Sequence, residues 1–471
     1  MKRIITALVI IAFCQQLSAA ILQVGPTRQY QKPSEAAKAV ADGDTVEIDA
    51  GVYAKDACVW NKNNLLFRGI GGMAHLKAEG AYSQGKAIWV IQGTNTTVEY
   101  IEFSECAVPD NNGAGIRQEG AGLILRRCYF HDNENGVLAG ANSESDFLFE
   151  FCEFNHNGYG DGYTHNMYIG HIRSFTLQFC YSHHANVGHN VKSRADHNYI
   201  LYNRIMDEDN GNSSFLIDLP NGGYSYIIGN LLMQGARAEN KTLINYGAEG
   251  LTNVFAGLYV VNNTCINRRQ TGTFINIKDG TQETKIVNNL FAGVDAALKT
   301  AIVGAADTSN NIYNVNISDF LFADEPNYDY HLLKGSPAIE AAMNDPGEFN
   351  GYSLFPAFEY KHPADSSFRP SKLNLDCGAF AFIDETGIFS ESSDANISAF
   401  PNPFSDKCKI ECPAGASVKI FNSFGILIYS FVNASEGFVW QPDYSIPQGV
   451  YYILIDNKLS KTTRKIVYIN H

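Results

Sequence analysis

Three short runs hold most of the side chains that can do chemistry: THNMYIGH at 164–171, GHNVKSRAD at 188–196 and SSFLIDLPNGG at 213–223. Each contains a stretch with apolar residues at every second position, the pattern of a strand with one buried face. Suppose Met167 and Ile169, Val191 and Ser193, Ile217 and Leu219, and Ile244 and Tyr246 point inward. Then Tyr168, Lys192, Asp218 and Asn245 form one outward column, and Gly170, Arg194 and Pro220 form the next. Arg117 and Glu119 lie outward on the same face, with Gln118 between them inward. Asn166, His165, His171, His183, His184 and His189 flank it from neighbouring turns. A one-residue slip would invert every assignment.

This set suits β-elimination from a uronic acid polymer. A base removes the proton next to the carboxylate, a cation neutralises that carboxylate, and an acid protonates the leaving oxygen. Lys192 is the candidate base. Arg194, two residues on and roughly 7 Å away on the same face, would lower its pKa and hold the substrate, whereas Asp218 opposes that shift. Tyr168 or His165 would supply the acid. Asp218, Asn245, Arg117, Glu119, Asn166 and His189 are the candidate sugar contacts. The plainer reading of Lys192 and Asp218 is a surface ion pair worth little.

Two other functions compete. A glycoside hydrolase needs two carboxylates at a fixed separation across the sugar, and Asp218 and Glu119 lie three coils apart. A non-catalytic glycan-binding surface protein needs only outward aromatics, and leaves the density of Lys, Arg and His unexplained. The sequence fixes no metal or cofactor. Asp207-Glu208-Asp209 offers hard oxygens for calcium, although a solvated acidic turn is the preferred reading. His183, His184 and His189 lack the spacing of a structural zinc site.

The elements that must position these residues repeat. From Ala87 to Gly293, strand-like runs follow one another, and Cys106, Cys128, Cys152, Cys180, Asn203, Asn230, Asn263 and Asn289 mark equivalent points. The spacing, roughly 22 to 33 residues, is that of a solenoid. Stacked inward cysteines behave as small apolar groups, and stacked asparagines form an amide ladder. A right-handed parallel β-helix satisfies both; a leucine-rich repeat is the runner-up, and the leucine spacing does not fit it. Ahead of the repeat, PSEAAKAVADGD predicts a short amphipathic helix with Ser34 as N-cap, followed by the strand TVEIDAG.

The chain has 471 residues and a net charge of −14, which argues against nucleic acid as partner. Lys2 and Arg3, the apolar run from Ile4 to Phe13 and the small residues after it predict a signal peptide over residues 1–20. The run is too short for a membrane span, and no later stretch is long enough. The ten cysteines of an exported chain would suggest disulfides, but their repeat positions predict reduced core thiols. A polar linker over 384–396 precedes strand-like runs over 397–471 that predict a small β-sandwich.

The ends of the chain resemble known families. PNPF at 401–404, GVYYILI at 449–455 and the terminal KIVYIN resemble the C-terminal sorting domain of the type IX secretion system of Bacteroidota. That resemblance implies the secretion machinery as partner, export through the outer membrane, and a secreted or cell-surface protein. VGPTRQYQKPSEAAKAVADGDTVEIDAGVY, SPAIE and LDCGAFAF make residues 21–383 resemble the pectin-lyase-like class of secreted β-helices. Its lyases use Lys, Arg or Tyr, often with calcium, so the resemblance implies an anionic polysaccharide substrate.

Overall fold

The computed structural model describes residues 19–370, 374–383, 398–422, 427–431, 437–443, 446–456 and 461–469. The expected signal peptide, beyond Ala19 and Ala20, and the expected linker lie outside them.

The repeat folds as a parallel β-solenoid of about ten turns. One wall is a ten-stranded sheet running from Cys58–Trp60 through Ala114–Gln118, Met167–Ile169, Val191–Ser193, Ile217–Leu219 and Thr242–Tyr246 to Lys299–Val303. The other two walls are halves of one bent twenty-one-stranded sheet. All pairings within both sheets are parallel and connect successive coils. The interior is a continuous apolar stack. Trp60, Phe67, Trp89, Phe103, Phe130 and Phe154 lie ring against ring and are buried.

The bend between the two halves of the large sheet explains the Cys/Asn repeat. One residue per coil there takes a positive φ: Arg127, Phe151, Phe179, Tyr202, Gly229, Asn262, Asn288 and Asn310. The residue after it turns inward, with its N–H cut off from water. Stacking solves this. The Cys128 N–H donates to Cys152 Sγ at 3.4 Å, Cys152 to Cys180 Sγ at 3.3 Å, and Cys180 to Asn203 Oδ1 at 2.9 Å. Asn203, Asn230, Asn263 and Asn289 continue the pattern, each giving both its backbone and its amide N–H to the next Oδ1. The nine cysteines among the described residues are buried and unpaired.

Cys106 does not belong to this ladder. Tyr129 pairs with Glu102, so Cys128 follows Ile101 in its column. Cys106 opens a second ladder at another corner, donating its N–H to Asn133 Oδ1, with Asn157, Asn166 and Asn190 above.

At the N-terminal end the helix is one turn, Pro33–Ala36. Its cap position is Lys32 rather than Ser34, with Pro33 in the first turn, a position where its missing N–H costs nothing. Ala36 and Val40 still bury their side chains, as expected. After the last coils, residues 317–370 and 374–383 do not stop at the end of the solenoid but run back along its large sheet. There Phe320, Tyr330, Tyr360 and Phe380 cover Met206, Met233, Ile266 and Leu290. The C-terminal part is two antiparallel sheets, three- and four-stranded, closed around Phe404, Ile420, Trp440, Ile453 and Ile466.

Candidate functional site

The ten-stranded wall has the register expected from the alternation. Met167, Ile169, Val191, Ser193, Ile217 and Leu219 are buried inside. Outside, Tyr168 pairs with Lys192, Lys192 with Asp218, Asp218 with Asn245, and Asn245 with Asn276. These five rungs span roughly 19 Å at about 4.8 Å each. The rung on either side is apolar, Leu138 before Tyr168 and Val303 after Asn276.

Lys192 Nζ lies 3.3 Å from Asp218 Oδ2 and 3.4 Å from Glu249 Oε1. Arg194, in the next column, donates from Nη2 to Glu249 Oε2 at 2.7 Å and from Nε to the Tyr168 hydroxyl at 2.9 Å. Its Nη1 reaches Asn221 Oδ1. Both cations also lie over the Tyr168 ring, 5.9 Å and 5.7 Å from its centroid. Asn245 Nδ2 donates to Asp218 Oδ1 at 2.7 Å, and Asn276 Nδ2 to Asn245 Oδ1 at 3.0 Å. The site is therefore charge-balanced, two cations against two carboxylates.

Burial divides these groups. The Lys192 side chain is 11% exposed and Asp218 3%, whereas Glu249 is 48% exposed. So Lys192 is no free surface amine. It is an ion-paired group over a buried acid, and to act as a base it must first leave both carboxylates. Burial raises the pKa of Asp218 against the opposing pull of Lys192 and the Asn245 hydrogen bond. At Glu249 burial also pushes up, but the Arg194 hydrogen bond and the charges of Lys192 and Arg194 outweigh it and hold the carboxyl below its usual range.

His165 and His189 stack face to face, centroids 4.6 Å apart, and His189 continues onto Phe215. The His189 N–H donates to His165 Nδ1 at 3.0 Å, and the Phe215 N–H to His189 Nδ1 at 3.2 Å. Both Nδ1 atoms accept, so a neutral ring carries its proton on Nε2. For His189 that proton faces Asp218 Oδ2 at 3.5 Å. Burial and the charge of Lys192 push the His189 pKa down to about 3. Burial, then His189, Lys192 and Arg194, hold His165 well below its ordinary value. With Nδ1 accepting a backbone N–H, neither ring is arranged as an imidazolium. His189 instead buttresses Asp218.

Three expected sugar contacts lie elsewhere. Asn166 points into the core and passes its amide N–H to Asn190 Oδ1 at 2.9 Å. The strand begins only at Met167, so the two-residue alternation does not apply at the corner before it. Arg117 is outward but three rungs from Lys192, roughly 14 Å at about 4.8 Å per rung. Glu119 is occupied by Lys86 Nζ and by Gln92 Nε2.

The acidic turn diverges too. Asp207 is buried with its pKa pushed up to about 6 by that burial. Glu208 meets Tyr181 and Arg204, and Asp209 meets Arg268. The sequence reading missed Glu249 and Asn221. Glu249 sits in Gly247-Ala248-Glu249-Gly250, a turn pinned to the preceding coil by Gly247 N–H to Leu219 O and Glu249 N–H to Pro220 O. A lone acid between glycines, directly after an inward tyrosine, was the available signal. A cleft of about 700 Å³, lined by Thr97, Leu148, Arg173 and Tyr199, lies on the large sheet and not over Lys192.

Residues 398–470 match the family described as the secretion system C-terminal sorting domain. No curated protein matches the chain. Among solved structures, pectate lyase Pel9A is similar at 14% identity and a TM-score of 0.39, over 78% of this chain and 98% of that one. PorZ, an essential bacterial surface component of the type-IX secretion system of Porphyromonas gingivalis, is similar at 25% identity and a TM-score of 0.16, over 18% of this chain. The chain spans 13% of the length of PorZ. The sorting domain marks the chain for export through the outer membrane, to the cell surface or the medium. Among the described residues, no helix is long and apolar enough to cross a membrane.

Proposed function

We propose that this exported solenoid acts on a uronic-acid-containing polysaccharide, and that the reaction on the Tyr168–Asn276 face is β-elimination. One observation carries this reading: the Glu249 carboxylate already bridges Lys192 and Arg194, one oxygen to each. Two cations spaced to take both oxygens of one carboxylate are what a uronate needs for its carboxylate to be neutralised and its α-proton acidified. A sugar carboxylate that displaces Glu249 would inherit that setting.

Tyr168, whose oxygen receives the Arg194 Nε–H, is the proton-transfer group beside the pair. As phenolate it takes the proton α to the carboxylate. The C–H electron pair becomes the new C=C bond, and the C–O bond to the leaving sugar breaks with its own pair. The phenol then returns the proton to the leaving oxygen. Lys192 and Arg194 act as charge partners in this scheme, Asp218 and His189 hold Lys192, and Asn245 and Asn276 face the sugar hydroxyls. We place the leader at residues 1–20, the solenoid at 21–383, the linker at 384–396 and the sorting domain at 397–471.

The test is ultraviolet absorbance of the conjugated product, screened against pectate, alginate and chondroitin with and without calcium. Hydrolysis and simple binding create no such chromophore. Product formation lost in Tyr168→Phe and Arg194→Ala supports the scheme. Uronate binding without product, lost in Arg194→Ala, would instead make the face a glycan-binding surface.

A further inference from the structure

On the large sheet, away from the Lys192 face, three successive strands bring a second set of groups together. They are Leu66–Lys77, Ile101–Ser104 and Tyr129–His131. His75 pairs with Glu102, and Glu102 with Tyr129. His131, two residues beyond Tyr129 on the same face, stacks on the Tyr129 ring at 4.4 Å and so reaches back over Glu102. His131 Nε2 lies 3.0 Å from Glu102 Oε1, and His75 Nδ1 lies 3.4 Å from the same oxygen. The three donor atoms all fall within 4.8 Å of one another.

We propose that His75, Glu102 and His131 form a binding site for a divalent transition-metal ion of the zinc class. With zinc bonds of about 2.0–2.1 Å, neighbouring donors of a tetrahedral ion lie roughly 3.3 Å apart, and the separations of 3.0 and 3.4 Å bracket that value. The far side of each ring is also held. His131 Nδ1 is 2.7 Å from Asp132 Oδ2, and His75 Nε2 is 2.7 Å from Ser104 Oγ. For His131 this is the carboxylate–histidine support that fixes the tautomer of a metal ligand and raises its basicity, and for His75 a serine hydroxyl holds the ring. Two imidazoles select a borderline ion over calcium, which takes oxygen ligands. The three side chains are 19%, 22% and 18% exposed, so the fourth position opens to solvent. The inference is independent of the lyase reading, since none of these residues touches the Lys192 site.

The experiment uses the purified full chain, stripped by chelator and dialysed against zinc, with bound metal counted and cobalt substituted for its visible absorption. One ion per chain, with an intense tetrahedral cobalt spectrum, is expected. His75→Ala and His131→Ala should abolish both, and His171→Ala, at a distant corner where the ring meets Asp196, should change neither. Asp132 is 60% exposed, so Asp132→Ala should fold normally and still weaken zinc by about 10- to 100-fold. Failure to retain zinc, or unchanged zinc affinity and cobalt spectrum in Asp132→Ala and Glu102→Gln, would reduce the cluster to a hydrogen-bonded chain from Ser104 to Asp132 and overturn the proposal.

Discussion

Replacing Glu249 by Gln should tighten uronate binding, although Glu249 touches both cations of the proposed site. The carboxylate contacts Lys192 Nζ at 3.4 Å and Arg194 Nη2 at 2.7 Å, from a side chain that is 48% exposed. Exposed ion pairs of this kind are worth about 0.2–1 kcal/mol each. A substrate carboxylate must displace both, so the free protein opposes binding by roughly 0.5–2 kcal/mol, equivalent to about a 2- to 30-fold loss of affinity. Glu249→Gln removes that competition and leaves Lys192 on Asp218, and Arg194 on Tyr168 and Asn221. Calorimetric titration with an oligouronate reads the affinity directly, and initial rates of product absorbance read KM. The gain should shrink as salt rises, because these charges are solvent-screened. Arg194→Ala should move affinity the opposite way. If Glu249→Gln binds more weakly, or lowers kcat at unchanged KM, then Glu249 takes part in the reaction and is not a stand-in for the substrate.

Lys192→Arg separates two roles: a charge partner should lose less than about tenfold in kcat, whereas a lost general base costs about 10²- to 10⁴-fold. Lys192→Ala is a poorer probe, because it strips the partner from a buried Asp218 and should destabilise by up to about 3–5 kcal/mol, less whatever protonation of Asp218 relieves. His189, neutral in the fold with its pKa pushed down to about 3, binds fewer protons folded than unfolded below its ordinary value. Its stabilising contribution is complete above about pH 6.5 and falls by up to about 1.4 kcal/mol per pH unit below that; denaturant unfolding of His189→Asn should show a flatter acid limb than wild type. Asn230→Ala leaves the buried Asn203 donors without Asn230 Oδ1 and the Ile200 carbonyl without its amide partner. At about 1–3 kcal/mol per orphaned group, urea unfolding should lose several kcal/mol. Intact mass of the protein secreted by its native host should lack both the leader and the 397–471 tail, and full-length chain in the medium would contradict this.

Particular residues show what the sequence can and cannot reveal here. Tyr168, Lys192, Asp218 and Asn245 were readable as one column because alternation within a strand has a fixed period and every inward partner but Ser193 is apolar or aromatic. The Cys-to-Asn ladder was readable because each coil presents the same left-handed bend with the same unsatisfied N–H. Asn166 was misplaced because alternation stops where the strand stops, and the corner turned its amide into the core. Cys106 was misplaced because coils differ in length, so counting residues loses the register that pairs Tyr129 with Glu102. Glu249 was missed because it comes from a turn, 57 residues beyond Lys192, and no periodicity governs where a turn reaches.

Parallel in-register stacking also explains where such a site can exist. Like charges stacked one coil apart repel, so a structural charged column must alternate. The large sheet carries one that does. Arg68, Glu99, Arg126, Glu150 and Gln178 pair in sequence, with Glu99 between two arginines and Arg126 between two glutamates. The Tyr168 column breaks that rule. Lys192 has Asp218 on one side but only a tyrosine on the other, and Arg194 lies between Gly170 and Pro220, neither of them charged. A ladder built for stability would have placed acids there. Instead the second carboxylate arrives from Glu249 on a half-exposed turn, so that Arg194, unlike Lys192, takes no acid from its own strands.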